Sequence, residues 1–346
     1  MRQSNVNKIE VYSKSRKDYF WRLIMKVRES KYLIYDHEID ANLKYHLKQI
    51  KSMVQAKLYK ACMNVFYPKG DTDKKYNVTI CAIFKNEGKY FKEWIEWHKI
   101  IGIDHFYLYN NNSDDNYMDV LKPYIDEGTV DLIDWPYDQA QMKAYADCIK
   151  NRSNEASWIG FIDLDEFIVP IQYNNIADFL KKFKKNRPSV LLYWQFFGTS
   201  GIMKRPENSL VTESFHSCWA KHDIVGKCFF NTKYSFDKDY KRNTILHHIL
   251  WGKYKNFEFP MVNFCDKVCL DHHHPINTDE FPIQINHYFT KSFDEYDEKA
   301  SKGDVYFKKN PHNLEYFYKH ESLCTSRDYS VDKYMIKLKL IMEEEE

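Results

Sequence analysis

Between residues 76 and 162 the chain alternates short apolar runs with longer stretches of helical spacing. The segment 78–84, VTICAIF, is almost wholly apolar, the pattern of a parallel strand covered on both faces. In 88–101 the residues Phe91, Trp94, Ile95, His98 and Ile101 recur near helical spacing, and Gly102 follows as a natural C-cap. The same alternation predicts a strand at 105–109, a helix at 117–126 stopped by Gly128, a strand at 130–133, a helix at 138–152 and a fourth strand at 158–162. Such a βαβαβαβ order predicts an α/β domain with a largely parallel sheet, which binds ligands at the carboxyl ends of its strands.

The first 67 residues read differently. In 17–27, Tyr19, Phe20, Trp21, Leu23, Ile24 and Val27 are interleaved with Lys17, Arg22 and Lys26. That pattern suits a helix lying on an anionic membrane surface, or one docked on the body of the protein or on a partner. A second helix is expected at 41–65, and PKGDTD at 68–73 reads as a linker.

Composition narrows the class. With 346 residues the chain can bury a full core. Its net charge of +2 hides an asymmetry, because residues 1–76 carry 17 Lys and Arg against 8 Asp and Glu. The body is therefore acidic and would repel a polyanion, which argues against nucleic acid as a partner. Eight cysteines without a C-x-x-C pair indicate neither a zinc ribbon nor a disulfide scaffold, as expected of a cytoplasmic protein. The N-terminus lacks the apolar segment of a signal peptide, and no apolar run reaches membrane-spanning length. Aromatics make up 17% of the residues, a surplus that suits stacking on sugar rings as well as core filling.

The chemistry concentrates at SWIGFIDLDEFIVP, 157–170. An apolar strand there stops at Asp163, Asp165 and Glu166. Ionised carboxylates are costly to bury unless paired or metal-bound, and oxygen ligands favour Mg²⁺ or Mn²⁺. A solvated turn explains a bare Asp-x-Asp equally well, so the other strand ends carry weight. They are Lys85-Asn86-Glu87-Gly88, then the run from Asn110 to Asn116, then Asp134-Trp135-Pro136. Together these supply amides and carboxylates for a base and a ribose beside a metal site for a diphosphate.

At this point a resemblance becomes visible. VTICAIFKNEGKYFKEWIEWH (78–98), FYLYNNNSDDN (106–116), QMKAYADC (141–148), WIGFIDLDEFI (158–168), WQFFGTSG (194–201) and NHYFTKSFDEYDEKASKG (286–303) resemble, in order and spacing, the glycosyltransferase family 92 and related family 2-like enzymes. The resemblance covers 77–303. It implies a GT-A fold, a Rossmann-like, mostly parallel sheet flanked by helices, at 76–305, with a basic helical extension and linker at 1–75 and a helical tail at 306–346. It also implies a nucleotide-sugar donor, UDP-linked first, with Mn²⁺ or Mg²⁺ as cofactor.

Carried over by position, Asp163 and Asp165 match the family's Asp-x-Asp, with Asp165 the direct metal ligand, Asp163 nearer the ribose and Glu166 behind them. Asn86, Glu87, Asn111 and Asn112 would frame the base, although related enzymes often place an aspartate after the second strand. Gln141 and Tyr145 would face the donor, and Lys227 and Lys291 would lie near its diphosphate. His287 stands where GT-A enzymes bring a third protein ligand to the metal; the alternative is a core histidine bonded to backbone. His247, His248 and the histidine run at 272–274 read as loop surface, since adjacent histidines on a strand face opposite ways. The resemblance implies inversion, and hence a carboxylate base after WQFFGTSG, with Glu213 the first choice and Asp223 the second.

Two other readings fit part of the pattern. A haloacid-dehalogenase-type phosphohydrolase needs a small hydroxylic residue or Val four positions after the first Asp, where this chain has Phe167. A catalytically silent GT-A-like scaffold or sugar-binding protein would keep the body without the chemistry. The expected setting is surface polysaccharide or glycolipid synthesis. The acceptor would be a saccharide or lipid-linked saccharide at the inner face of the plasma membrane, with peripheral contact through residues 1–67.

Overall fold

A computed structural model describes residues 33–34, 43–70, 73–270, 280–301 and 313–344. The amphipathic segment 17–27 and the histidine run at 272–274 lie outside the described residues. The strands that build the main sheet are β1 (Tyr76–Phe84), β2 (His105–Asn110), β3 (Val130–Asp134), β4 (Ala156–Phe161), β5 (Glu166–Pro170), β6 (Ser189–Phe196), β7 (Gly226–Asn231), β8 (Val262–Asn263) and β9 (Ile283–His287). The main helices are α1 (Leu43–Val65), α2 (Phe91–Ile100), α3 (Tyr117–Asp126), α4 (Gln141–Arg152), α5 (Phe293–Ser301), α6 (Leu314–Leu323) and α7 (Asp332–Glu344).

The sheet runs β3-β2-β1-β4-β7-β6-β9-β5, with β8 paired to β6. β3, β2, β1 and β4 are mutually parallel, as the alternating pattern predicts. Their central members are buried along their length because helices cover both faces, which is why β1 reads as an unbroken apolar run. The chain steps outward from β1 to β3 and then returns to the other side of β1 for β4. That reversal is a topological switch, the place at which open α/β sheets bind their ligands. Gly102 ends α2 at φ +93°, a conformation that only glycine takes without cost.

Beyond β4 the topology departs from the simple alternation. β7 is antiparallel to both β4 and β6, while β6 and β9 are parallel. Its first residues therefore emerge beside the carboxyl end of β4. β9 is antiparallel to β5, in a register that sets His287 directly opposite Glu166. Two late pieces of chain are thus brought to the acidic tip by sheet pairing.

The helix expected at 41–65 forms as α1. It is docked on the body near its C-terminal end: Met63 is buried, Tyr59 meets the edge of Trp251 and Lys60 pairs with Asp266. α7 packs on α2 and buries Leu338, with Tyr334 against Trp97 and its hydroxyl donating to the Pro170 carbonyl at 2.7 Å. Among the described residues no helix is long and apolar enough to cross a membrane. All eight cysteines are free thiols.

Candidate active site

The β4–β5 turn places three carboxylates within one short stretch, and each has a different environment. Trp94 on α2 fixes the turn by donating its indole N–H to the carbonyls of Asp163 and Glu166. Glu166 closes it from inside by accepting the Asp163 backbone N–H at 3.0 Å.

Asp163 faces α4 and β7. Tyr145 donates its hydroxyl to Oδ1 at 3.0 Å, Gln141 its amide at 3.3 Å, and Lys227 its ammonium to Oδ2 at 2.6 Å. Lys227 is fully buried and also lies 3.3 Å from Glu166. Burial opposes its charge, but Asp163 and then Glu166 outweigh it and raise its pKa. Gln141, Tyr145 and Lys227 thus form one network around Asp163.

Asp165 points the other way. Its Oδ1 lies 3.5 Å from His287 Nε2, and its Oδ2 accepts from Lys299 at 2.6 Å. Burial alone would push this carboxyl up; Lys299 first, then His287 and Lys291, hold it well below the usual range. Glu166 goes the opposite way. Its burial outweighs the Lys227 ammonium, and with Asp163 and Asp165 nearby its pKa is raised well above the ordinary value.

Asp165, Glu166 and His287 each offer an atom within 4.8 Å of the others. Glu166 Oε1 and His287 Nδ1 are buried, 3.8 Å apart, and make no hydrogen bond. Two buried ligand atoms without a hydrogen bond, one from a carboxylate and one from an imidazole, with the second carboxylate of Asp165 in the same cluster, fit a divalent ion. Glu166, expected behind the ligands, lies in the same cluster as Asp165 and His287, while Asp163 is engaged by Lys227, Gln141 and Tyr145.

The remaining expected residues are spread over several elements. Glu87 is half-buried after β1; burial and the nearby Asp165 raise its pKa to about 7. Lys291 is buried, with its ammonium 4.4 Å from the Tyr90 ring centroid, and desolvation lowers its pKa. Its φ of +49° is strained backbone for a lysine. Asn86 receives the Asp114 N–H on its side-chain oxygen, and Asn111 donates to the carbonyls of Trp135 and Tyr137. Both asparagines therefore tie neighbouring loops together, while Asn112 is exposed at the tip. Glu213 sits on a helical turn, Val211–Ser214, and pairs with Lys339 of α7; none of its described contacts is with the acidic tip. Asp223 is buried and accepts the Val225 N–H at 2.8 Å, just ahead of β7.

Two residues were not foreseen. Lys299 lay within the quoted motif SFDEYDEKASKG, but nothing local links it to a carboxylate 134 positions earlier. Trp194 spans the floor between Lys227, 5.7 Å away, and the His287 ring at 4.9 Å. The loop-surface reading of His247 is corrected: it is 7% exposed, its ring against Tyr145, while His248 hydrogen-bonds through Nδ1 to the Gly226 carbonyl at 2.7 Å. The His247 carbonyl accepts the Cys228 N–H at 2.8 Å, so this segment is bonded to β7 and its apolar neighbours Leu246, Leu250 and Trp251 are buried with it.

A mostly parallel α/β sheet with its acidic cluster at a topological switch defines a GT-A-type protein, the fold class expected above. The sequence profile of glycosyltransferase family 92 matches residues 74–316, and the chain belongs to that family. A glycosyltransferase family 92 protein of Ricinus communis is 30% identical over 138 residues, 39% of this chain and 25% of the relative. A family 92 protein of Oryza sativa subsp. japonica is 29% identical over 143 residues, 40% of this chain and 24% of the relative. A β-1,4-galactosyltransferase of Caenorhabditis elegans is 30% identical over 111 residues, 29% of this chain and 26% of the relative. The chain spans about a quarter of the length of these relatives. Among solved structures, residues 1–349 of Staphylococcus aureus TarS in complex with UDP are 13% identical, covering 45% of this chain and 47% of that one at a TM-score of 0.31.

Proposed function

We propose that the protein transfers a sugar from a nucleotide-sugar, UDP-linked first, to a saccharide hydroxyl with inversion at the anomeric carbon. The observation that carries the reading is the convergence of Asp165, Glu166 and His287 with two buried, unbonded ligand atoms at the switch point of the sheet. These three residues would hold Mn²⁺ or Mg²⁺, whose charge would offset that of the departing diphosphate. Lys291, buried and favoured in its charged form by Asp165 although desolvation opposes it, would add positive charge for the diphosphate. Asp163, clamped from three directions, presents an oriented carboxylate edge to the ribose, and the loops after β1 and β2 flank the base.

Of the two acidic residues expected as the base, Asp223 is supported better, since its chain runs directly into the strand that carries Lys227. The C. elegans relative's name makes a galactose donor the first to try. The proposed setting is the cytoplasmic face of the plasma membrane, supported by the basic N-terminal segment. Flotation with anionic liposomes tests it, and binding unaffected by removal of residues 1–42 would sink it.

The decisive experiment is calorimetric titration of UDP with and without Mn²⁺, with donor hydrolysis followed in parallel. Wild type should bind UDP only with the metal and release UDP slowly from one donor. Asp165→Ala should abolish both; an undiminished titration would refute the assignment.

A further inference from the structure

Helix α5 packs through Phe293 and Tyr296 on Phe289 and Phe317, and ion pairs tie its other face to the acidic tip. Glu295, in its first turn, accepts from Ser292, from Tyr90 and from Arg205. One turn on, Glu298 pairs with Lys89 at 3.0 Å and Lys299 with Asp165 at 2.6 Å. Spacings of three and four place these residues on one helix face, so the helix presents Lys299 directly to the site. The Lys299 ammonium also lies 4.8 Å from the Phe289 ring centroid.

This placement creates a conflict. Asp165 belongs to the trio that fits a divalent ion, yet one of its two oxygens is already taken by an ammonium. Two cations on one carboxylate repel each other unless a further anion joins them. The lysine is the partner able to move, being on a flexible four-carbon stem with 41% of its side chain exposed. Asp165 is 6% exposed and held in the turn. A diphosphate bound at the metal would supply the missing anion, and it would arrive on the side already lined by Lys291.

Building on the metal and nucleotide reading above, we propose that Lys299 is an exchangeable counter-ion. Without metal it neutralises Asp165; when a divalent ion takes that carboxylate, the ammonium turns to the diphosphate of the donor. Metal and nucleotide then bind with positive coupling, each removing the charge that disfavours the other.

Lys299→Gln in the full chain tests this in two measurements. Mn²⁺ binding without nucleotide, followed by the electron paramagnetic resonance of free Mn²⁺, should tighten about tenfold, because the competing cation is gone. UDP binding at saturating Mn²⁺, followed by calorimetry, should weaken about tenfold, because a diphosphate ligand is gone. The opposite signs are diagnostic, since a merely loosened site would weaken both, and Lys299→Arg should restore UDP binding. Unchanged Mn²⁺ affinity, or loss of both affinities together, overturns the exchange while leaving the wild-type metal and nucleotide site standing. A wild type that binds neither Mn²⁺ nor UDP removes that site, and the exchange with it.

Discussion

Lys227 keeps the acidic tip together when nothing is bound. It is fully buried, 2.6 Å from Asp163 and 3.3 Å from Glu166, and neither carboxylate has another basic side chain as close among the described contacts. Removing one partner of a buried pair leaves an uncompensated charge. Lys227→Met is expected to cost about 3 kcal/mol, the low end of the usual range, because Asp163 still reaches water. The urea midpoint should fall with the slope unchanged. The two acidic candidates separate at the same scale. Asp223→Asn should lower kcat by roughly 10²-fold or more, as for loss of a general base, with UDP affinity preserved. Glu213→Gln, which only releases Lys339, should leave kcat near wild type; the reverse pattern would exchange the two assignments.

At the scale of elements, α5 depends on Glu295. Burial opposes its charge, but bonds from Arg205 and then Ser292 outweigh this and bring its pKa down to about 2. A carboxyl depressed below its unfolded value contributes stability that is complete above about pH 4.5 and lost as pH falls toward 2. That shift is worth on the order of 3 kcal/mol. Glu295→Gln should therefore melt well below wild type at pH 7, with the gap closing as both are acidified to pH 2. A gap that stays constant with pH would mean the residue acts by packing alone. The antiparallel strand β7 is the other decisive element. It starts with Gly226, where an added Cβ would lie 1.7 Å from the Leu192 carbonyl oxygen, so only glycine lets it close on β6 and deliver Lys227.

Across the whole molecule the packed α/β body reaches beyond the segment that identifies the family. The profile ends at residue 316, yet Val331, Tyr334, Met335 and Leu338 of the last helical segment are buried in the main core. Exposing four such side chains forfeits roughly 6–12 kcal/mol, comparable with the stability of an entire domain. A chain ended at residue 328 is expected to lose its cooperative thermal transition, and a normal melt would show that α7 is dispensable. The same distinction governs how much could be read in advance. The four parallel strands and three crossover helices were legible because each obeys a local period. Boundaries moved only slightly: β4 ends at Phe161 rather than at Ile162, and α4 begins at Gln141 rather than near Asp138. The antiparallel entry of β7, the pairing of β9 with β5 and the burial of His247 have no local signature.

The sequence by itself determined the α/β class, the position of the acidic turn and the polar loops around it, because period, strand length and the cost of burying charge act over neighbouring residues. Only the tertiary structure decided which distant side chains answer those carboxylates. His287 opposite Glu166, Lys227 beneath Asp163 and Lys299 on Asp165 are set by strand register and helix docking, and those depend on how separate elements share one core.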